Sequence, residues 1–193
     1  MTGQRNGSKR QPGATRKRLL DVAGELAVEA GVSALTLEAV AARAGVSKGG
    51  LLHHFPSKNA LVAGMVEDLI AHFVEATEKE AAGDPEPSGR AARAYLRAVA
   101  AEGKEGAQRW GAVASAFLLD QALMKLWRDE MDRLRERDLR EEDADPVATM
   151  IVRLAADGLW LADLFDLYGL DEAMRGKILD RLADLTRNTR PPG

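Results

Sequence analysis

Cysteine is absent from all 193 residues, so this chain has no disulfide framework and no thiolate-bound zinc. Histidine occurs only three times, and two of the three are neighbours, His53 and His54. Adjacent residues on a helix point about 100° apart and do not converge on one ion, and no third ligand is evident, so no metal is expected. Long apolar runs are missing as well. The richest stretch, GLWLADLFDLYGL (158–170), is broken by Asp163 and Asp166 and falls short of the ~20 apolar residues of a membrane span. The basic start MTGQRNGSKRQPGATRKR leads into a segment interrupted by Asp21, Glu25 and Glu29, unlike a secretory signal. There is no nucleophile motif, phosphate loop, internal repeat or alternating β-branched run. These absences point away from an enzyme, a cofactor and a membrane. They fit a cytoplasmic protein.

What is present is a helical protein with an uneven charge. Hydrophobic residues make up 46% and charged residues 30%, a composition that folds, and the length supports a proper core. The net charge of −3 hides an asymmetry. Residues 1–58 carry nine Lys and Arg against four acids, and the remainder is strongly acidic. A basic head on an acidic body points to a polyanion partner for the head alone.

Punctuation along the chain divides it into helices. Residues 1–14 read as a disordered basic arm, in which Arg5, Lys9 and Arg10 could reach a nucleic acid. Thr15 can cap a first helix, in which Leu19, Leu20, Ala23, Leu26, Ala27 and Ala30 recur at helical spacing and which Gly31 ends. Thr36 caps LEAVAARA, which Gly45 ends, and Ser47 caps a third short helix. Ser57 caps a long fourth helix from about Lys58 to Ala81. AGDPEPSG (82–89) is a break. Further helices follow at about 89–103, 106–120, 121–141, 147–168 and 171–187, with Asp145 and Pro146 suited to start the one before last. The expected fold is all-α with about nine helices. It divides into the arm at 1–14, a head at 15–58 and a body at 59–193.

Two short helices separated by little more than Gly45-Val46 form a helix-turn-helix, with Leu35, Val40, Ala41, Val46, Leu51 and Phe55 as its expected core. In such units the first turn of the second helix enters the major groove. Gly49 and Gly50 fall in that turn, where bare backbone can approach a phosphate, and Lys48 lies beside them. Lys58 opens the fourth helix and is placed for a phosphate.

The run TRKRLLDVAGELAVEAGVSALTLEAVAARAGVSKGGLLHHFPSKNALV (15–62) resembles the DNA-binding domain of the TetR family of transcriptional regulators, the TetR/AcrR-like proteins. The resemblance implies a homodimer, each subunit joining a three-helix head to a larger ligand-binding and dimerisation domain. Its DNA contacts would come from Thr36, Ser47, Lys48, Gly49, Gly50, Leu52, His53 and Lys58. Leu52 departs from the family, which commonly has a tyrosine there, and leucine offers no hydroxyl to a phosphate.

RLAADGLWLADLF (153–165) resembles the dimerisation end of members linked to drug efflux, a drug-responsive subgroup. Its helix is apolar nearly all round, and Ile151, Leu154, Leu161, Phe165 and, on the last helix, Leu182 are candidates for a two-fold contact. All three tryptophans lie in the body. Trp110, Trp127 and Trp160, with Met65, Phe117, Met124 and Met131, could line an apolar cavity. Asp157 and Asp163 flank Trp160, so a lipophilic cation would suit the cavity alongside neutral apolar or aromatic molecules. Arg153, four residues before Asp157, is spaced to pair with it, and that salt bridge is the expected arrangement.

The expected function is that of a homodimeric repressor released from a palindromic operator by a small, largely apolar effector. A helical protein-interaction adaptor, and more remotely a helical enzyme, are the alternatives. Neither needs a basic three-helix head.

Overall fold

The computed structural model describes residues 12–140 and 144–187. Among them are eight α-helices and one 3₁₀ turn, with no strand. The chain forms two compact units, residues up to Met65 and residues from Val66 onward. The division falls seven residues beyond the boundary expected at 58/59, because the first turns of the fourth helix bury Leu61, Val62 and Met65.

The first unit holds α1 (Pro12–Ala30), the 3₁₀ turn (Val32–Ala34), α2 (Leu37–Ala44), α3 (Lys48–His54) and the start of α4 (Lys58–Gly83). Helix α1 begins ahead of Thr15, its expected cap, and takes in the last residues assigned to the arm; a proline suits a first helical turn. Residues 1–11 lie outside the described residues, and so do the arm contacts expected of them.

The other caps form as the sequence implies. Thr36 Oγ1 accepts from the Ala39 amide at 3.2 Å, Ser47 Oγ from Gly50 at 3.1 Å, and Ser57 Oγ from Ala60 at 3.1 Å. Gly45 closes α2 at φ 63°, where a β-carbon would be strained. The Val46 amide then bonds to Ala41 O and the Gly45 amide to Ala42 O, the paired bonds of a Schellman stop. This stop holds the turn between α2 and α3 to three residues. Leu35, Val40, Ala41, Leu51 and Phe55 are buried together with Leu19, Leu20 and Ala23 of α1, and Val46 is half-buried.

The second unit holds the rest of α4, then α5 (Arg90–Leu119), α6 (Gln121–Leu139), α7 (Pro146–Phe165) and α8 (Glu172–Leu185). The helices expected at 89–103 and 106–120 are one element, α5, broken at Gly103 with φ 57° and ψ −161°. Only glycine takes up that combination readily, so the break sits where the sequence permits it. Helix α7 starts at Pro146 under an Asp145 cap and ends three residues before the expected 168, because Asp166 turns left-handed at φ 51°.

The main packing in this unit is α7 on α5. Ala148, Val152 and Ala156 form a buried ridge of small residues along α7, four apart, as ridge-into-groove packing requires. The α4–α5 connection is tied down by Arg93, which is fully buried. Its guanidinium donates to Asp84 from Nε at 2.7 Å and Nη2 at 3.1 Å, to the Ser88 and Glu86 carbonyls, and to Thr186 Oγ1 at 2.9 Å beyond the end of α8.

Candidate nucleic-acid interface and cavity

Helix α3 is two turns long and buries only Leu51; Phe55, which ends it, is buried too. Those two anchors turn the rest of the helix outward. Ser47, Lys48, Gly49, Gly50, Leu52 and His53 are exposed, and Thr36 is exposed at the head of α2. His54 is half-buried, so the adjacent histidines divide between solvent and the unit as their 100° offset requires. A β-carbon on Gly49 would meet nothing within 4 Å, so the bareness of that position serves no contact inside the chain.

The two lysines of this face are already engaged. Lys48 Nζ lies 2.6 Å from Glu38 Oε1 of α2. Lys58 Nζ donates to Ser33 O at 2.7 Å and so ties the start of α4 to the 3₁₀ turn. An ammonium has three donors, so one bond to Ser33 leaves Lys58 with capacity for a phosphate. Arg43 pairs with Glu29 at 2.6 Å, bracing α2 on α1. The hydrogen bonds from Lys48 and Arg43 hold Glu38 and Glu29 below the usual carboxylate range.

The second unit contains an open cavity of about 500 Å³. Helix α6 supplies Met124, Trp127 and Met131, and α7 supplies Asp157 and Trp160. With Trp110 of α5, these are six of the residues expected at a ligand site. Trp110 and Trp127 meet edge to face with ring centres 4.9 Å apart. Met65 is not in the wall. It is buried in the first unit, two turns of α4 before Phe73, the residue of that helix that does line the cavity. The Phe117 side chain lies outside the described residues.

Sequence reasoning missed the first half of the α5 wall. Tyr95, Val99 and Glu102 recur there at i, i+4 and i+7 and face the cavity together. A glutamate within an otherwise apolar stripe was the available signal. Tyr95 stacks edge to face on Phe73, ring centres 5.3 Å apart, and its hydroxyl donates to Asp157 Oδ1 at 2.6 Å. Burial pushes the Asp157 carboxyl above its ordinary range, against the opposing effects of the Tyr95 hydrogen bond and the charge of Arg153.

The expected Arg153–Asp157 pairing gives way to a different arrangement. Arg153 lies over the Tyr95 ring, 4.4 Å from its centre, and donates to Leu134 O at 2.9 Å. Asp163 is also drawn off, because Arg175 of α8 pairs with it at 2.7 Å.

Helix α7 is two-faced rather than buried all round. Opposite the ridge that meets α5, Val147, Ile151, Leu154, Leu161 and Phe165 form an exposed apolar stripe, with Leu154 65% and Phe165 64% exposed. Leu161 and Phe165 also line the cavity, so the stripe borders its wall. Leu182 does not join the stripe. It is buried on the inner face of α8, one turn before Thr186, and Met174 and Leu185 are the apolar residues that α8 exposes. Among the described residues no helix is long and apolar enough to cross a membrane.

Comparison with known proteins agrees with this geometry. Residues 19–65 match the family model for bacterial regulatory proteins of the tetR family. Residues 89–187 match the model for the tetracyclin repressor-like C-terminal domain. The chain is 29% identical to the HTH-type transcriptional regulator BetI of Serratia proteamaculans, over 90% of its own length and 88% of that protein's. It is 32% identical to BetI of Burkholderia mallei, over 88% and 87%. A crystal structure of a transcriptional regulator from Rhodococcus sp. Rha1 superposes with a TM-score of 0.71 at 20% identity, covering 89% of this chain and 95% of that one.

Proposed function

The chain belongs to the TetR family of bacterial regulatory proteins, and from that premise we propose that it is a homodimeric, effector-responsive repressor of a palindromic operator. The observation that carries the reading is the composition of α3. Everything on it apart from Leu51 and the half-buried His54 is turned outward, and the outward set is a capped N-terminus, a lysine, two bare glycines, a leucine and a histidine. Amide groups at a helix start favour phosphates, and Lys48 and His53 can reach base edges. Thr36 and Lys58 flank them as backbone contacts, and Leu52 offers an apolar contact in place of the phenol common in the family. Two such helices about 34–36 Å apart would read successive major grooves of a palindrome.

The exposed stripe of α7 supports the dimer, and Met174 and Leu185 are exposed on α8 as well. A two-fold axis sets the same stripe of a second copy against it and buries apolar surface that a single chain leaves in water. The aromatic cavity supports a small, largely apolar effector. Such a molecule acts only through its difference in affinity for the DNA-competent and released states. Helix α4 carries both Lys58 and Phe73, so it is the element through which occupancy can reach the DNA contacts. Acting on chromosomal DNA, such a protein works in the cytoplasm.

Selection of bound fragments from genomic DNA tests the reading. An inverted repeat with half-sites one helical turn apart, bound by a protein of twice 20.8 kDa, is expected. No enriched sequence at low salt would overturn it.

A further inference from the structure

The charges around the cavity do not balance, and we infer that the effector is a lipophilic organic cation, its positive centre held by Asp157 and its apolar body by Trp110, Trp127 and Trp160. The inference rests on the cavity being the effector site.

Asp157 and Glu102 are the charged side chains in the wall, and none of the described lining residues is basic. Glu102 is partly engaged by the half-exposed Arg109 at 3.3 Å. Asp157 has no such partner. Its donor is a neutral phenol, which orients the carboxylate without cancelling its charge. No hydrogen bond to Asp157 Oδ2 is present among the described residues, leaving that oxygen to a ligand. Arg153 stands beside Tyr95 outside the wall. Its field acts on Asp157 but does not offset desolvation by the surrounding wall, which pushes the carboxyl upward even though the residue is open to the cavity. An acid that opens onto an apolar, aromatic cavity with no basic group in the wall attracts an incoming positive charge, the more so as the ligand displaces the water around it.

The remaining wall suits the same ligand. Aromatic rings attract a cation through their π faces, most strongly where water is excluded. Tyr95 and three tryptophans on three different helices border one space of about 500 Å³. An anion would meet two carboxylates and no basic side chain there. A neutral molecule would gain the apolar contacts alone.

Tetraphenylphosphonium and tetraphenylborate share a shape and carry opposite charges. Each is titrated into the full-length protein and followed by tryptophan fluorescence and calorimetry. The cation is expected to bind at least tenfold more tightly than the borate. Asp157→Asn keeps the acceptor for Tyr95 and removes the charge. It is expected to weaken the cation at least fivefold, to leave the borate no weaker, and to leave the melting temperature little changed. Glu102→Gln, a second variant at a separate position, is expected to weaken the cation less. Equal or tighter binding of the borate, an Asp157→Asn protein that binds the cation like the wild type, or no binding of either ion overturns the inference.

Operator binding separates this inference from the functional reading. Cation binding that depends on Asp157 but leaves DNA affinity unchanged keeps the cation site and overturns the effector role. Release from DNA by the borate, bound in the same cavity, does the reverse.

Discussion

Lys48 and Glu38 form an ion pair 2.6 Å long that links the first turn of α3 to the first turn of α2. Both side chains are more than half exposed, and exposed pairs of this kind are weak and screened by salt. In the proposed complex a DNA phosphate would compete with Glu38 for the lysine, and Glu38 would also present a negative charge to the DNA. Replacing Glu38 with Gln is expected to tighten DNA binding about two- to fivefold and to steepen its salt dependence by up to about one counterion. Fluorescence anisotropy across a salt series reads both. Unchanged affinity would mean that Lys48 keeps its acid in the complex.

Open space around Gly49 separates folding from binding at that residue. Gly49→Ala raises helix propensity by at most about 1 kcal/mol, less in a first turn, so urea unfolding should show equal or slightly greater stability. Specific DNA affinity should fall roughly tenfold, because the methyl group obstructs close approach of the backbone. A stable variant with intact binding would show that the glycine is merely tolerated.

Arg93 is buried with five hydrogen bonds to four residues, and removing it leaves the buried Asp84 carboxylate with only the Glu86 amide and the partly exposed Arg97 at 3.0 Å. Arg93→Met is expected to destabilise the second unit by about 3–5 kcal/mol, the usual cost of breaking a buried pair from one side. Chemical denaturation followed by circular dichroism measures it. A loss below about 1 kcal/mol would mean the network contributes little.

The same network predicts a pH dependence. Burial acts to raise the Asp84 carboxyl, but hydrogen bonds from Arg93 and the Glu86 amide, with the charges of Arg93 and Arg97, lower it to about 2 from 3.8. A value depressed by folding means that Asp84 stabilises the protein above about pH 4 and that this contribution fades as pH falls toward 2. Its size is on the order of 2 kcal/mol. Stability curves of wild type and Asp84→Asn should therefore be separated at neutral pH and converge below about pH 2. Parallel curves would assign the acid sensitivity to other groups.

Leu154 is 65% exposed in the single chain, so a charge there does not disturb the chain's own core. Leu154→Lys is expected to shift the sedimenting species from twice 20.8 kDa to 20.8 kDa and to weaken binding to a palindrome more than tenfold. A variant that remains dimeric would move the two-fold contact off this stripe.

The head is legible in the sequence because its signals are local. Caps at Thr36, Ser47 and Ser57 bond to amides three residues on, and the Gly45 stop involves residues within five positions. Six residues of the cavity wall were legible as large apolar or acidic side chains in the body. Met65 was misplaced because its periodicity on α4 continues smoothly to Phe73, while the boundary between the units falls between them. Leu182 was misplaced because α8 has apolar residues on more than one side, and its spacing does not say which side is covered.

The all-α class, the helix-turn-helix and the outward set on α3 follow from the sequence by itself. Helical period, caps and glycine stops act over a few residues and need no distant partner. Tertiary structure alone decided which stripe of α7 meets α5 and which stays bare, since both are apolar. It also decided that Asp157 answers to Tyr95, 62 positions away, rather than to Arg153, four positions away. Spacing on a helix brings two side chains within reach of one another, but packing between helices settles which of the groups in reach each one meets.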